Sequence, residues 1–460
     1  MTPATSRTRN GTKPHRRSVK GNGNGLGKSE ESKSSFRDYL KILGPGLITG
    51  ASDDDPSGIA TYSQAGSQFG LTFLWTALLT FPLMAGVQEI CDRTALATGK
   101  GIGELVVERF EKFGKAVVGL LVVVLMLANT LNVSADLIAV GSGMQLLHAG
   151  PEWAWALIAG ALITFVLIKG SFSRISQIFK ILCLGLLAYI AVAVIVTHQW
   201  ARLAYYTFVP HVNFNKAYLL LLVAILGTTI SPYLFFWQSA NRLEEMRDED
   251  EGGDAAVPLK SRTHRGAKQK QSTSRVDVFS GMAFSNVVMF AIIAATAQTL
   301  HANNITKIQS AAQAAKSLKP FAGQFASAIF ACGFIGSGLI AIPVLAASGS
   351  VGLSGLLGKN WGFSQSARKA PLFYGLVILG TLGGTALSVL HVNPIQLLVL
   401  VAVINGVIAG PILIVVMLIS SKKSIMGKYV NGKMASTLGW ITTFVMIVTA
   451  LALLGSGVKF

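Results

Sequence analysis

Three consecutive carboxylates, Asp53, Asp54 and Asp55, stand in the apolar, Gly-rich stretch GPGLITGASDDDPSGIATYSQAG, and Pro56, Ser57 and Gly58 follow directly. A carboxylate near the middle of a membrane span costs between about 2.5 and over 10 kcal/mol and needs a partner. Pro and Gly beside it interrupt the helical hydrogen-bond ladder. Carbonyls freed in this way at membrane depth are tolerated where they line a cavity. Carboxylates next to loose carbonyls form a site for a hard cation. A second interruption lies in AYLLLLVAILGTTISPYLFFWQSANRLEE, where Gly227, Thr228, Thr229, Ser231 and Pro232 break an apolar run. Either interruption alone is an ordinary packing kink; two at matching places, one carrying acids, point to a transport site.

The elements that hold these residues are membrane helices. The 460 residues are 51% hydrophobic and only 13% charged, against roughly 25% charged in a soluble domain. Eleven spans are expected, at about 41–66, 69–91, 114–147, 152–169, 174–197, 217–244, 278–300, 323–355, 371–390, 394–420 and 436–457. The net charge of +18 suggests a nucleic-acid partner until its distribution is considered. With the N-terminus inside, 33 of the 39 Lys and Arg fall in the tail and in alternate loops, the positive-inside pattern. The reading is therefore an all-α polytopic membrane protein with the N-terminus cytoplasmic, the C-terminus outside, the lipid bilayer as surroundings, and no nucleic acid. Residues 1–36 are expected to be a disordered cytoplasmic tail, 37–460 the transmembrane domain and 245–275 a flexible cytoplasmic loop. Cys91, Cys183 and Cys332 lack CxxC spacing, which points away from a disulfide framework or thiolate metal site. The two breaks lie five spans apart, so repeat one covers about 41–197, repeat two about 217–420, and the helix at 436–457 is an addition.

These residues resemble a known family. GPGLITGASDDDPSGIATYSQAG is similar to the first helix of the Nramp divalent-metal transporters, where Asp-Pro-Gly-Asn is usual. TTISPYLFFWQSA resembles their sixth helix, usually Met-Pro-His, and NVSADLIAVGSG their third. The likeness runs from about Arg37 to the tenth span. It implies a LeuT-type fold, alternating access and uptake of transition-metal ions, usually coupled to protons. Asp55, Pro56 and Asp136 keep the pattern. Ser57 and Gly58 stand where Gly and Asn are usual, Ser231 and Tyr233 where Met and His are, Gln238 at a second His position, and Ala139 at an acidic one.

The departures set the chemistry. Without a thioether, the remaining ligands are oxygens: Asp55 first, then Asp54, Ser57, Ser231, Tyr233 and carbonyls released at the breaks, such as those of Gly58 and Ile230. Hard oxygen ligands suit Mg²⁺, which keeps several waters and fits a roomier site. The pattern resembles the Nramp-related magnesium branch, with Mn²⁺ as a second substrate and no cofactor. The helix-six His positions and the helix-three acidic position are non-titratable, and Asp136 alone remains as a relay, so weak or absent proton coupling is expected.

Other residues have competing readings. Asp53 either caps the outer half-helix or lines the exit route. Asn129, Asn132 and Asp136 share one helix face, as a vestibule lining or as interhelical hydrogen bonds. Asn405 is a candidate to approach the ion in an occluded state. Glu89 and Asp92 read as an ion-paired helix end near Arg93. The competing functions are a proton-coupled Mn²⁺/Fe²⁺ symporter, a Na⁺-coupled amino-acid transporter, which three aspartates would disfavour, and an intramembrane aspartic protease using Asp55 and Asp136. No catalytic motif accompanies that pair, so the chain is not read as an enzyme. No obligate protein partner is evident, and compact loops without organelle signals suggest a bacterial inner membrane.

Overall fold

The first described helix stops where the acids begin. In the computed structural model, α1 (Pro45–Asp53) and α2 (Pro56–Phe69) are separated by Asp54 and Asp55. Asp55 is extended (φ −64°, ψ 171°), and Pro56 opens α2 at a position where its missing N–H is no loss. Residues 45–169, 187–197, 199–249, 256–316, 323, 326–389 and 393–456 are described. The expected disordered tail at 1–36, Cys183 and the first part of the span at 174–197 lie outside them.

The chain continues through α3 (Trp75–Thr98), α4 (Ile102–Arg109), α5 (Lys112–Leu146), α6 (Glu152–Lys169), α7 (Leu187–Val196) and α8 (Trp200–Phe208). The second break then separates α9 (Lys216–Thr229) from α10 (Pro232–Arg247). Again the last residue of the break, Ser231, is extended (ψ 131°) and a proline opens the second half. There follow α11 (His264–Thr299), α12 (Ala311–Ala315), α13 (Ala326–Leu356), α14 (Pro371–Leu387), α15 (Pro394–Ser420), α16 (Lys423–Met426) and α17 (Lys433–Gly455). Seven helical stretches among the described residues are long and apolar enough to cross a bilayer. The other expected spans correspond to α1 with α2, α3, α7 and α14.

Burial separates the centre from the lipid face. The apolar window of 216–247 is 89% buried, whereas those of α6 and α17 are 28% and 33% buried. Leu162 and Phe165 of α6 and Phe444 and Leu451 of α17 point outward, as side chains do on a surface meant for acyl chains. The broken helices are therefore central. Close approach holds them there. A Cβ on Gly50 would collide with the Gly281 backbone of α11, and one on Gly227 with Ala402 and Gly406 of α15. Small residues at such crossings let helix backbones meet.

Two expected boundaries move. Span two was expected at 69–91, but Gly70 (φ +61°) starts a short 3-10 turn and α3 runs from Trp75 to Thr98. Its end can extend because Glu89, Asp92 and Arg93 all have partners. The loop expected over 245–275 is shorter than that range: α10 ends at Arg247 and α11 starts at His264, where the Thr263 hydroxyl accepts from Gly266 N–H. The first turns of α11 are polar and invisible to a hydropathy reading.

Candidate ion site at the paired helix breaks

Asp55 is wholly buried and caps α2. Its Oδ1 accepts from Ser57 Oγ at 2.6 Å and from Gly58 N–H at 2.8 Å. Its Oδ2 accepts from the Tyr233 hydroxyl of the other break at 3.3 Å, and the same hydroxyl lies 3.2 Å from the Ser52 carbonyl. The residue standing where the family usually has His thus ties the two breaks together. Tyr62 and Thr228 close around Gly58: a Cβ there would lie 3.1 Å from Thr228 Oγ1 and 3.3 Å from the Tyr62 ring. Thr228 belongs to the second interruption already visible in the sequence, whereas nothing in the sequence singles out Tyr62; the folded break brings the two together.

Asp53 and Asp54 turn another way. Ser285 of α11 donates to Asp53 Oδ2 at 2.6 Å and lies 3.3 Å from Asp54 Oδ1. The reading of Asp53 as a helix cap is corrected accordingly: the side chain bonds across to α11, and Asp55 caps α2. Asp136 of α5 comes beside the break, because Gly338 of α13 leaves room for both the Asp136 carbonyl and the Pro56 ring. Among the described residues, both Asp136 carboxylate oxygens, Asp53 Oδ1 and Asp54 Oδ2 are buried without a hydrogen-bond partner. Buried carboxylate oxygens in this condition are stable only when a cation or a proton answers them. Among the described residues no three His, Cys, Asp or Glu side chains converge as a ready metal cage. An ion here would therefore draw its ligands from Asp55, hydroxyls, carbonyls and water.

Two expected ligand readings change in detail. The Ser231 hydroxyl donates backward to the Gly227 and Thr228 carbonyls, 2.8 Å each, satisfying groups the break set free. Its lone pairs remain as acceptors. Ile230 ends α9 with its N–H on Leu226, leaving its carbonyl outside the ladder. Asn405 faces Asn132 across α15 and α5, with amide contacts of 3.3 and 3.4 Å, and Asn129 donates to Leu345 O and Ser348 Oγ of α13. Asn129 and Asn132 of the polar stripe on α5 therefore make interhelical hydrogen bonds, while Asp136 makes none among the described residues. Asn405 stays next to the second break, since Gly406 packs on Gly227.

One end of the site is sealed by ionic contacts. Arg242 of α10, 2% exposed, reaches Asp92 of α3 at 2.6 Å and Asp277 of α11 at 2.9 Å, and also pairs with Glu245. Gln238, at the second His position, donates to Asp92 at 2.8 Å, and Ser274 bonds the other oxygen. Gly46 N–H of α1 donates to Asp277 at 2.8 Å, which ties the first half-helix into the cluster. Asp92 therefore pairs with Arg242 rather than with Arg93, whose carboxylate partner is Glu89 at 3.1 Å. Arg242→Ala would leave Asp92 and Asp277 buried without their cation; the expected loss is about 3–5 kcal/mol, read as a lowered melting temperature in detergent. The opposite end differs. A cavity of about 470 Å³, lined in part by Gln64, Gln68, Lys307 and Val403, opens beside the far end of α2. Asp277 and the C-terminus of α11 at Thr299 are 22 residues apart in one helix, about 33 Å.

Likenesses to one family, two relatives and two solved structures bear on this arrangement. The family described as Natural resistance-associated macrophage protein-like (Nramp) matches residues 46–456. The protein named Divalent metal cation transporter MntH of Caldanaerobacter subterraneus subsp. tengcongensis is 24% identical over 91% of this chain and 94% of its own. Its namesake in Yersinia pestis is 26% identical over 89% and 93%. Among solved structures, the Eremococcus coleocola manganese transporter superposes with a TM-score of 0.69 at 14% identity, covering 94% of this chain and 90% of that one. Mhp1, a nucleobase-cation-symport-1 family transporter, superposes with a TM-score of 0.55 at 14% identity, covering 90% and 91%. At these identities the structures speak to the fold alone: an all-helical, LeuT-type arrangement with its first and sixth helices broken.

Proposed function

Because the chain belongs to the Nramp family, whose members are membrane metal transporters and not enzymes, we propose that it takes up hard divalent cations, Mg²⁺ with Mn²⁺ as a second substrate, by alternating access. The observation that carries this reading is the composition of the paired breaks. Asp55, Ser57, Thr228, Ser231, Tyr62 and Tyr233 are all oxygen-bearing, and no thioether or imidazole stands at either break. Oxygen donors without sulfur favour Mg²⁺ over thiophilic metals.

Asp55 is the first ligand, joined by the Ser57 and Ser231 hydroxyls and the carbonyl of Ile230; Gly58 lies inside the first turn of α2, so its carbonyl belongs to the helix ladder rather than to the released set. Asp54 acts through a bridging water, and Asp53 with Asp136 holds the approach. The Arg242 cluster seals the side carrying most Lys and Arg, so the ion enters from the side of the 470 Å³ cavity. Alternating access then requires α1 to release Asp277. The N-terminus is cytoplasmic, the C-terminus external, and the membrane a bacterial inner membrane. An inside-negative potential of 100 mV gives a divalent ion about 4.6 kcal/mol, twice the single-charge value. Tyr233 and Gln238 stand at the helix-six His positions and Ala139 at the helix-three acidic position, none titratable near neutral pH, so uptake runs without stoichiometric proton flow.

A second reading, a proton-coupled Mn²⁺/Fe²⁺ symporter, fits the naming of the relatives as MntH. Proteoliposomes loaded with a pH dye separate the two. Under the present reading Mn²⁺ enters while internal pH stays flat; acidification that tracks uptake supports the symporter instead.

A further inference from the structure

A cavity of about 380 Å³ lies where three segments meet: the end of α3, the first turns of α11 and the turn at 427–432. Its wall carries Arg93, His264, Lys268, Arg275 and Lys428, and no carboxylate. His264, Lys268, Gln271 and Arg275 recur at four, three and four residues, which sets them on one face of α11. The metal pathway does not use this place.

The charges there are not balanced. Glu89, behind the wall, answers Arg93 at 3.1 Å and Arg275 at 3.2 Å. Among the described residues no carboxylate pairs with Lys268 or Lys428, and the Lys428 ammonium rests over the Tyr429 ring at 5.2 Å. Arg93 gives the second observation. It is only 5% exposed, its guanidinium donates to Asn431 Oδ1 at 2.8 Å, and yet its Nε is buried without a hydrogen-bond partner. A buried guanidinium N–H without a partner is unfavourable, and it marks Arg93 as held in place at this wall. Like charges gathered around a small volume repel, and a polyanion among them removes that repulsion. A solvated basic face, spread along loops, would need neither a shared cleft nor a buried arginine.

We infer that this cleft binds a phosphate-bearing ligand with at least two negative charges. The Arg guanidinium forks match phosphate geometry and the lysines act as point charges. The cavity volume falls within the roughly 300–1,000 Å³ of small-molecule sites. The phosphate comes from a soluble ester or from an anionic lipid headgroup, and its occupation would pin α3, α11 and the 427–432 turn to one another.

The test uses the full-length protein in nanodiscs of zwitterionic lipid, titrated with pyrophosphate by calorimetry, and in nanodiscs containing phosphatidic acid, scored for retained lipid by native mass spectrometry. Lys268 and Lys428 are exposed, so the double variant Lys268→Gln, Lys428→Gln keeps its fold. Pyrophosphate binding that weakens at least tenfold in the double variant identifies a soluble phosphate ligand. Phosphatidic acid retained by the wild type and lost by the double variant, with no pyrophosphate bound, identifies a lipid headgroup. Binding of neither probe, or equal binding by wild type and variant, overturns the inference.

Discussion

Asp55→Asn is expected to abolish metal uptake while leaving the protein folded. The change removes one negative charge and keeps the shape of the cap. Asn is as good an N-cap as Asp, so its carbonyl oxygen can still accept from Gly58 N–H and Ser57 Oγ, the contacts that hold α2 in place. A divalent ion would then face a break lined by neutral oxygens, with the charges of Asp53 and Asp54 turned toward Ser285 of α11. Loss of a residue that only supports a ligand costs roughly 10- to 100-fold in metal affinity, and Asp55 is the charged ligand proposed above, so uptake should drop about 100-fold or more. Calorimetric metal binding should vanish with it. The alanine variant is the harsher change, since it also strips the cap, at about 0.5–2 kcal/mol, and leaves the Tyr233 hydroxyl with the Ser52 carbonyl alone. Uptake by a well-folded Asp55→Asn protein at wild-type rates would remove Asp55 from the ion's path.

Ser231→Met is expected to change which ion is preferred. In the native protein the hydroxyl returns to the Gly227 and Thr228 carbonyls, and no sulfur stands at either break. A thioether here adds a soft donor, which favours Cd²⁺ and offers Mg²⁺ nothing. It also fills space that a hydrated Mg²⁺ needs. Competition uptake should show the Cd²⁺-to-Mg²⁺ preference rising about tenfold or more, equivalent to about 1.4 kcal/mol. The site is fully buried, so the larger side chain adds about 1–3 kcal/mol of packing strain and a somewhat lower melting temperature. An unchanged preference in a folded variant would show that position 231 does not face the ion.

Much of this was legible because the decisive signals are local. A proline that ends a hydrogen-bond ladder is visible one residue at a time, and both breaks fall at Asp55-Pro56 and Ser231-Pro232 as expected. The spans at 152–169 and 394–420 begin and end as read, since the first is bounded by charge and the second opens on Pro394. The breaks' partners were not legible, because they depend on which helices meet. Nothing near Ser285 in the sequence says that it will hold Asp53 and Asp54 across more than 230 positions. Arg242, at the end of the 217–244 span, has no visible partner in the sequence; Asp92 and Asp277 close on it only in the fold. Asp92 misleads for the same reason: its neighbour in sequence is Arg93, but its partner in space is Arg242. The polar first turns of α11 read as linker because hydropathy registers only the apolar half of that helix.

The central claim is that two facing breaks, lined by oxygen alone and charged by Asp55, select a hard divalent cation. The most direct test is Mn²⁺ uptake into proteoliposomes holding the purified wild-type protein, with Mg²⁺ added outside in large excess. The account predicts that Mg²⁺ suppresses Mn²⁺ entry and is itself carried inward. Mn²⁺ entry undiminished by excess Mg²⁺, with no Mg²⁺ accumulating inside, would contradict it.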